Sequence, residues 1–163
     1  MLRVLSKFIL RMFGWTVEKD LPLKERYVLV GAPHTSNWDL PLAILGMLAM
    51  GLRFSLVAKH TLFKWPIGPL FKAIGGIPID RRIRTGFVDK MVELFTHREK
   101  LILAIIPEGT RSKTPYWKTG FYFIAVKAHV PIALGYLDYG EKKVGVGKLI
   151  WPTGSIEKDI EEI

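Results

Sequence analysis

Tyr27-Val-Leu-Val-Gly-Ala-Pro33 followed by His34-Thr-Ser-Asn-Trp-Asp39 is the stretch on which the fold turns. The apolar run is too short for a helix and stops at Gly31 and Pro33, so it reads as a buried strand from about Tyr27 to Gly31. Trp38 to about Met50 then reads as a helix, which puts His34 and Asp39 where a strand ends and a helix begins. Side chains five residues apart do not share a helix face, so these two meet only if the residues between them turn. A carboxylate so placed would hold one imidazole nitrogen as a donor and leave the other free to act as a base. Taken alone the pair is weakly selective, since chance supplies it in about one such sequence in five.

Working outward, the same alternation continues. Phe54 to Lys59 reads as a strand, so the apolar stretch Leu40 to Ala58, interrupted by Pro41, Gly46, Gly51 and Arg53, is a buried helix, a turn and a strand rather than a membrane span. Gly76-Ile-Pro-Ile-Asp80 reads as a short strand, Gly86 to His97 as a helix and Leu101 to Ile106 as a fully buried strand. A helix from Thr119 to His129 and strands Ile132 to Tyr139 and Val144 to Trp151 follow. The expectation is an α/β fold: a single layered domain over residues 1–163, with a mixed, largely parallel central sheet flanked by helices. Ligands of such sheets gather beyond the carboxyl ends of the strands, where His34 and the segment after Ile106 both fall.

Composition narrows the chemistry. The 163 residues, 49% of them hydrophobic, suffice for one substantial core. Without cysteine there is no thiol nucleophile, disulfide or thiolate metal site. A net charge of +9 and a pI near 9.8 point to an anionic partner. Nucleic acid is not expected, because the cations are dispersed and match no nucleic-acid-binding fingerprint. In residues 1–15 the cations Arg3, Lys7 and Arg11 recur every four residues among Leu2, Val4, Leu5, Phe8, Ile9, Met12 and Phe13. This amphipathic N-terminal helix suits a membrane interface better than a single core contact. No secretory signal peptide is evident.

Pro107-Glu-Gly-Thr-Arg-Ser112 is a second candidate site. Arg111 offers a planar fork for phosphate, Thr110 and Ser112 offer hydroxyl donors, and Gly109 permits a positive φ or a close backbone approach. Glu108 would repel a phosphate and makes sense if it orients Arg111 or accepts from a substrate hydroxyl. Ser36 is read as a cap for the following helix rather than a nucleophile. His60, His97 and His129 lack partners at metal-ligand spacing and no metal is expected. Trp117, Phe121, Tyr122 and Phe123 are read as core, with an acyl-chain groove as the lesser alternative.

Four blocks, His34-Thr-Ser-Asn-Trp-Asp39, Gly76-Ile-Pro-Ile-Asp-Arg81, Pro107-Glu-Gly-Thr-Arg-Ser112 and Val130-Pro-Ile132, resemble in order and spacing those of the glycerolipid acyltransferases, the family of 1-acylglycerol-3-phosphate acyltransferase. The likeness spans roughly two-thirds of the chain, from Gly31 to Leu134. It implies transfer of a fatty acyl group from acyl-CoA or acyl carrier protein to the hydroxyl of a glycerol phosphate or lysophospholipid, with no cofactor. It implies His34 as general base, Asp39 as its partner, and Arg81, Glu108, Gly109, Thr110 and Arg111 as the acceptor and phosphate site. A thioester hydrolase and a non-catalytic lipid-binding or membrane-binding protein are the alternatives. Many bacterial members carry a longer hydrophobic N-terminal section. A cytoplasmic enzyme held peripherally on the anionic inner face of the membrane is therefore expected. The closing Asp159-Ile-Glu-Glu-Ile163 reads as the start of a helix.

Overall fold

The computed structural model describes residues 1–19, 26–33, 35–80, 86–110 and 114–163. Helix α1 (Leu2–Met12) and strand β1 (Thr16–Lys19) precede the central strand β2 (Arg26–Gly31). Helix α2 (Asp39–Met50), β3 (Phe54–Lys59), a 3-10 turn (His60–Phe63), α3 (Gly68–Ala73) and β4 (Ile77–Ile79) follow. Then come α4 (Phe87–His97), β5 (Leu101–Ile105), α5 (Gly120–Ala128), β6 (Ile132–Asp138), β7 (Lys143–Ile150) and α6 (Ile156–Glu162). The strands form one seven-stranded sheet in the order β1-β7-β6-β2-β5-β3-β4. From β6 to β4 all neighbours are parallel, β7 is antiparallel to β6, and β1 runs parallel to β7. The mixed, largely parallel sheet flanked by helices is the expected α/β fold.

The apolar runs at β2 and β5 reflect their place. They pair with each other at the middle of the sheet and are covered on both faces. One core lies under α2, where Tyr27 and Leu29 meet Met47, Met50, Leu56 and Phe71. The other lies under α4, α5 and α6, where Val28 and Val30 meet Phe95, Phe121, Tyr122 and Ile124. Helix α2 is apolar around its whole circumference because it is an inner layer: the sheet covers one side and α1 the other, through Leu10, Ala49, Trp15 and Val144. Gly46 permits this approach, since a side chain there would strike Val144.

Most boundaries fall within one or two residues of expectation, as end fraying makes normal. Strand β1, the 3-10 turn and α3 were not anticipated. Thr16–Lys19 is four residues on a sheet edge and carries too short a pattern to read, while α3 is a six-residue helix with Pro69 in its first turn. Helix α6 starts before Asp159 rather than at it, because Asp159 is buried. Its carboxylate accepts from the Tyr122 hydroxyl at 2.7 Å, and from the Thr153 N–H and hydroxyl at 2.7 and 2.8 Å.

Candidate active site

The parallel β2 and β5 end side by side, Val30 opposite Ile105, so the segments that follow them open at one edge of the sheet. Pro33 leads from β2 toward the loop before α2, and Asp39 is the first residue of that helix. Asp39 is only 5% exposed. One carboxylate oxygen, Oδ2, accepts the backbone N–H groups of Thr35 at 2.7 Å and Ser36 at 2.8 Å. The other, Oδ1, accepts the Tyr139 hydroxyl at 2.5 Å. Hydrogen bonds from backbone and phenol donors satisfy the buried carboxylate and hold it in place. Ser36 does not cap α2 as expected. Its Oγ accepts the Trp38 N–H at 3.1 Å and closes the turn before the helix, while the Asp39 carboxylate reaches back to the Thr35 and Ser36 N–H groups of that loop.

Tyr139, in the turn after β6, is a site residue that the sequence reading missed. Burial and the neighbouring Asp39 carboxylate push its phenol up from the usual value. Its ring packs edge-on against Trp15, with centroids 5.3 Å apart and planes at 85°. Because the contact joins residues 100 positions apart, no local pattern signals it.

At the end of β5, the Gly109 N–H donates to Ile106 O at 3.2 Å, and Gly109 has φ +63, so a left-handed turn carries Glu108, Gly109 and Thr110. Lys118 lies across this glycine, near enough that a Cβ there would collide with its Nζ, and its N–H donates to Pro107 O at 2.9 Å. The sequence reading did not single out this cation beside the turn. At the end of β4, Asp80 comes within 3.9 Å of His60 Nδ1, a ring also near Ile79 O. His34, Arg81 and Arg111 lie outside the described residues, as does Ser112. Among the described residues, no group of three or more His, Asp or Glu side chains is arranged to hold a metal ion.

A cavity of about 90 Å³ opens beside Asp39 and runs between α2 and the sheet. Ala32, Pro33 and Ile106 from the segments after β2 and β5 line it together with Leu29, Ala43, Met47, Met50, Leu56 and Val146. On α2 the lining positions 40, 43, 47 and 50 form one helical face directed at the sheet. The aromatics from Trp117 to Phe123 divide between core and surface. Phe121 and Tyr122 are buried in the core on the opposite face of the sheet, Trp117 packs edge-on against Phe121, and Phe123 is exposed. Phe121 and Tyr122 pack against side chains of α4 and α6. A second apolar groove, of about 330 Å³, lies between α1 and the start of α2, with Ile9, Phe13, Trp15, Trp38, Leu42 and Tyr139 on its walls.

The sequence matches the Acyltransferase family over residues 15–133. The fold is similar to the crystal structure of PlsC from Thermotoga maritima, a 1-acyl-sn-glycerophosphate (LPA) acyltransferase. The TM-score is 0.69 at 23% identity, over 99% of this chain and 72% of that one. No curated protein matches the sequence.

Proposed function

Since the chain belongs to the acyltransferase family, we propose that it moves a fatty acyl group from a thioester donor to the hydroxyl of a glycerol phosphate or lysophospholipid. The donor is acyl-CoA or acyl carrier protein, and the reaction needs no cofactor or metal. The observation that carries this reading is the apolar cavity that Asp39 helps to line, a place for an alkyl chain beside a carboxylate that can hold a base.

His34 takes the proton of the acceptor hydroxyl as its oxygen attacks the thioester carbonyl carbon. The tetrahedral intermediate collapses with cleavage of the C–S bond, and the proton passes from His34 to the departing thiolate. The thioester is already activated, so no acyl-enzyme is required, in keeping with a chain that has no cysteine. Asp39 orients the imidazole and offsets its positive charge. Arg81, Glu108, Gly109, Thr110 and Arg111 bind the acceptor, with Arg111 gripping phosphate and Glu108 accepting from Arg111 or a hydroxyl. Lys118, lying over Gly109, adds positive charge to the same turn.

The enzyme works as a peripheral protein on the inner face of the membrane. Leu2, Val4, Leu5, Phe8, Met12 and Phe13 of α1 remain exposed although Ser6 and Leu10 pack inward, and this apolar surface interleaved with Arg3, Lys7 and Arg11 supports docking to anionic lipid. Among the described residues, no helix is long and apolar enough to cross a membrane.

The test is a mass-spectrometric screen of purified protein with acyl-CoA and acyl carrier protein donors against a panel of lysolipids and glycerol phosphate. Thiol release that depends on the acceptor, with an acylated product, is the expected result. Release that proceeds equally without acceptor would identify a hydrolase, and neither product nor release would identify a binding protein.

A further inference from the structure

We propose that Tyr139 is a positioning residue for the Asp39 carboxylate, holding the second of its two oxygens, and that Trp15 holds Tyr139 there. This rests on the reading of Asp39 as the partner of His34. None of the four motif blocks contains either aromatic residue.

The geometry divides the work between the two carboxylate oxygens. Oδ2 is held by the N–H groups of Thr35 and Ser36, both from the loop that leads into α2. These donors anchor one oxygen of the carboxylate. Tyr139 is distant in sequence but comes from the turn between β6 and β7, at the same sheet edge because β6 runs parallel to β2, and it holds Oδ1 at 2.5 Å. With both oxygens held, the plane is set. The phenol also shares the negative charge of Oδ1 without adding a charge of its own.

Trp15 makes this contact dependable. It is 8% exposed, packs edge-on against the Tyr139 ring, and closes the end of α1 through its N–H to Leu10 O at 2.8 Å. Arg3 Nε donates to Ala49 O near the other end of α2, so α1 lies antiparallel to α2 and its last turn supports the site. Among the described residues, the charged groups facing Tyr139 are Asp39 on α2 and Lys142 on the β6–β7 turn, whose Nζ donates to Phe13 O at 3.3 Å. The groove wall from α1 is Ile9, Leu10 and Phe13, and the rest of it is apolar.

Tyr139→Phe removes only the hydroxyl and keeps the ring contact with Trp15. Asp39 keeps its two backbone donors, so the lost bond leaves more negative charge on Oδ1 and a looser plane. The imidazolium form of His34 is then favoured and the base is less well aimed. The expected result is a fall in kcat of about tenfold, with both KM values within about twofold of the parent. In histidine-labelled protein, the His34 resonance should titrate about half a unit or more higher, and the acid limb of the kcat profile should move with it. Trp15→Leu should shift both in the same direction, while Trp15→Phe stays nearer the parent. An unchanged or lowered His34 titration in Tyr139→Phe, or a loss of kcat without the shift that merely follows a drop in Tm, overturns the proposal. His34→Gln assigns the resonance and tests the base separately: full activity there removes His34 from the chemistry, while the titration shift still reports whether Tyr139 acts on its surroundings through Asp39.

Discussion

At the scale of single residues, the site depends on how one carboxylate is satisfied. Asp39 accepts at least three donors, two from the backbone before its own helix and one from Tyr139, so it is held rather than merely present. Asp39→Asn replaces an acceptor oxygen with an NH₂ group that faces N–H or O–H donors. It should lower kcat by 10²-fold or more while circular dichroism stays unchanged, and retention of most of kcat would count against the assigned role. His34→Ala should remove product formation to a similar or greater degree. Because a neutral imidazole is needed to take the proton, activity of a chemistry-limited step should fall on the acid side, and a flat profile from pH 5 to 8 would remove His34 from that role. Arg111→Lys keeps the charge and loses the planar fork, so the KM of the acceptor should rise more than that of the acyl donor. Equal changes in both would count against phosphate binding by Arg111.

At the scale of elements, α2 serves two purposes. Its first residue supplies the carboxylate, and the face that carries Ala43, Met47 and Met50 walls the cavity beneath. Ala43→Leu places a larger side chain part-way down that wall. If the donor chain enters there, kcat/KM should fall for long acyl donors relative to short ones by about tenfold, the scale at which a hydrophobic pocket distinguishes a methylene or two. An unchanged chain-length profile at unchanged Tm would place the chain elsewhere. Helix α6 depends on Asp159, whose carboxyl burial pushes up but the donors Tyr122 and Thr153 hold below its usual value overall. A carboxyl depressed in the folded state stabilises it above the unfolded pKa, and that stabilisation is lost as pH falls through the folded one. Asp159→Asn should therefore lower Tm by a few degrees at pH 7, and the gap to the parent should narrow below about pH 4. A gap that is constant across pH would show that the carboxylate charge is irrelevant.

At the scale of the whole molecule, α1 joins the outer surface to the site, since its outward residues are apolar and exposed and its last turn leads into Trp15 and Tyr139. Leu5→Glu with Phe8→Glu should reduce sedimentation with anionic vesicles several-fold and leave Tm nearly unchanged, because both side chains are exposed. Vesicle binding by the parent should also weaken with salt, and binding indifferent to both changes would exclude α1 as the contact. The alternation of β2, α2, β3, α4, β5, α5 and β6 was legible because the strands, buried on both faces, are short apolar runs that stop at turn residues, while the helices are longer runs, with one apolar face in α4. So was the siting of Asp39 and of Glu108 to Thr110 beyond the strand ends, since each directly follows a run such as Tyr27 to Val30 or Leu101 to Ile106. Local order and periodicity thus determined the fold class, the position of the two loops and the resemblance that their blocks carry. Only the tertiary structure decided that α2 is an inner layer under α1, that an apolar cavity runs along its sheet-facing side, and that Tyr139 meets Asp39. Those contacts depend on which distant segments pack together, and a neighbour 100 residues away in the chain leaves no periodic trace in the sequence around it.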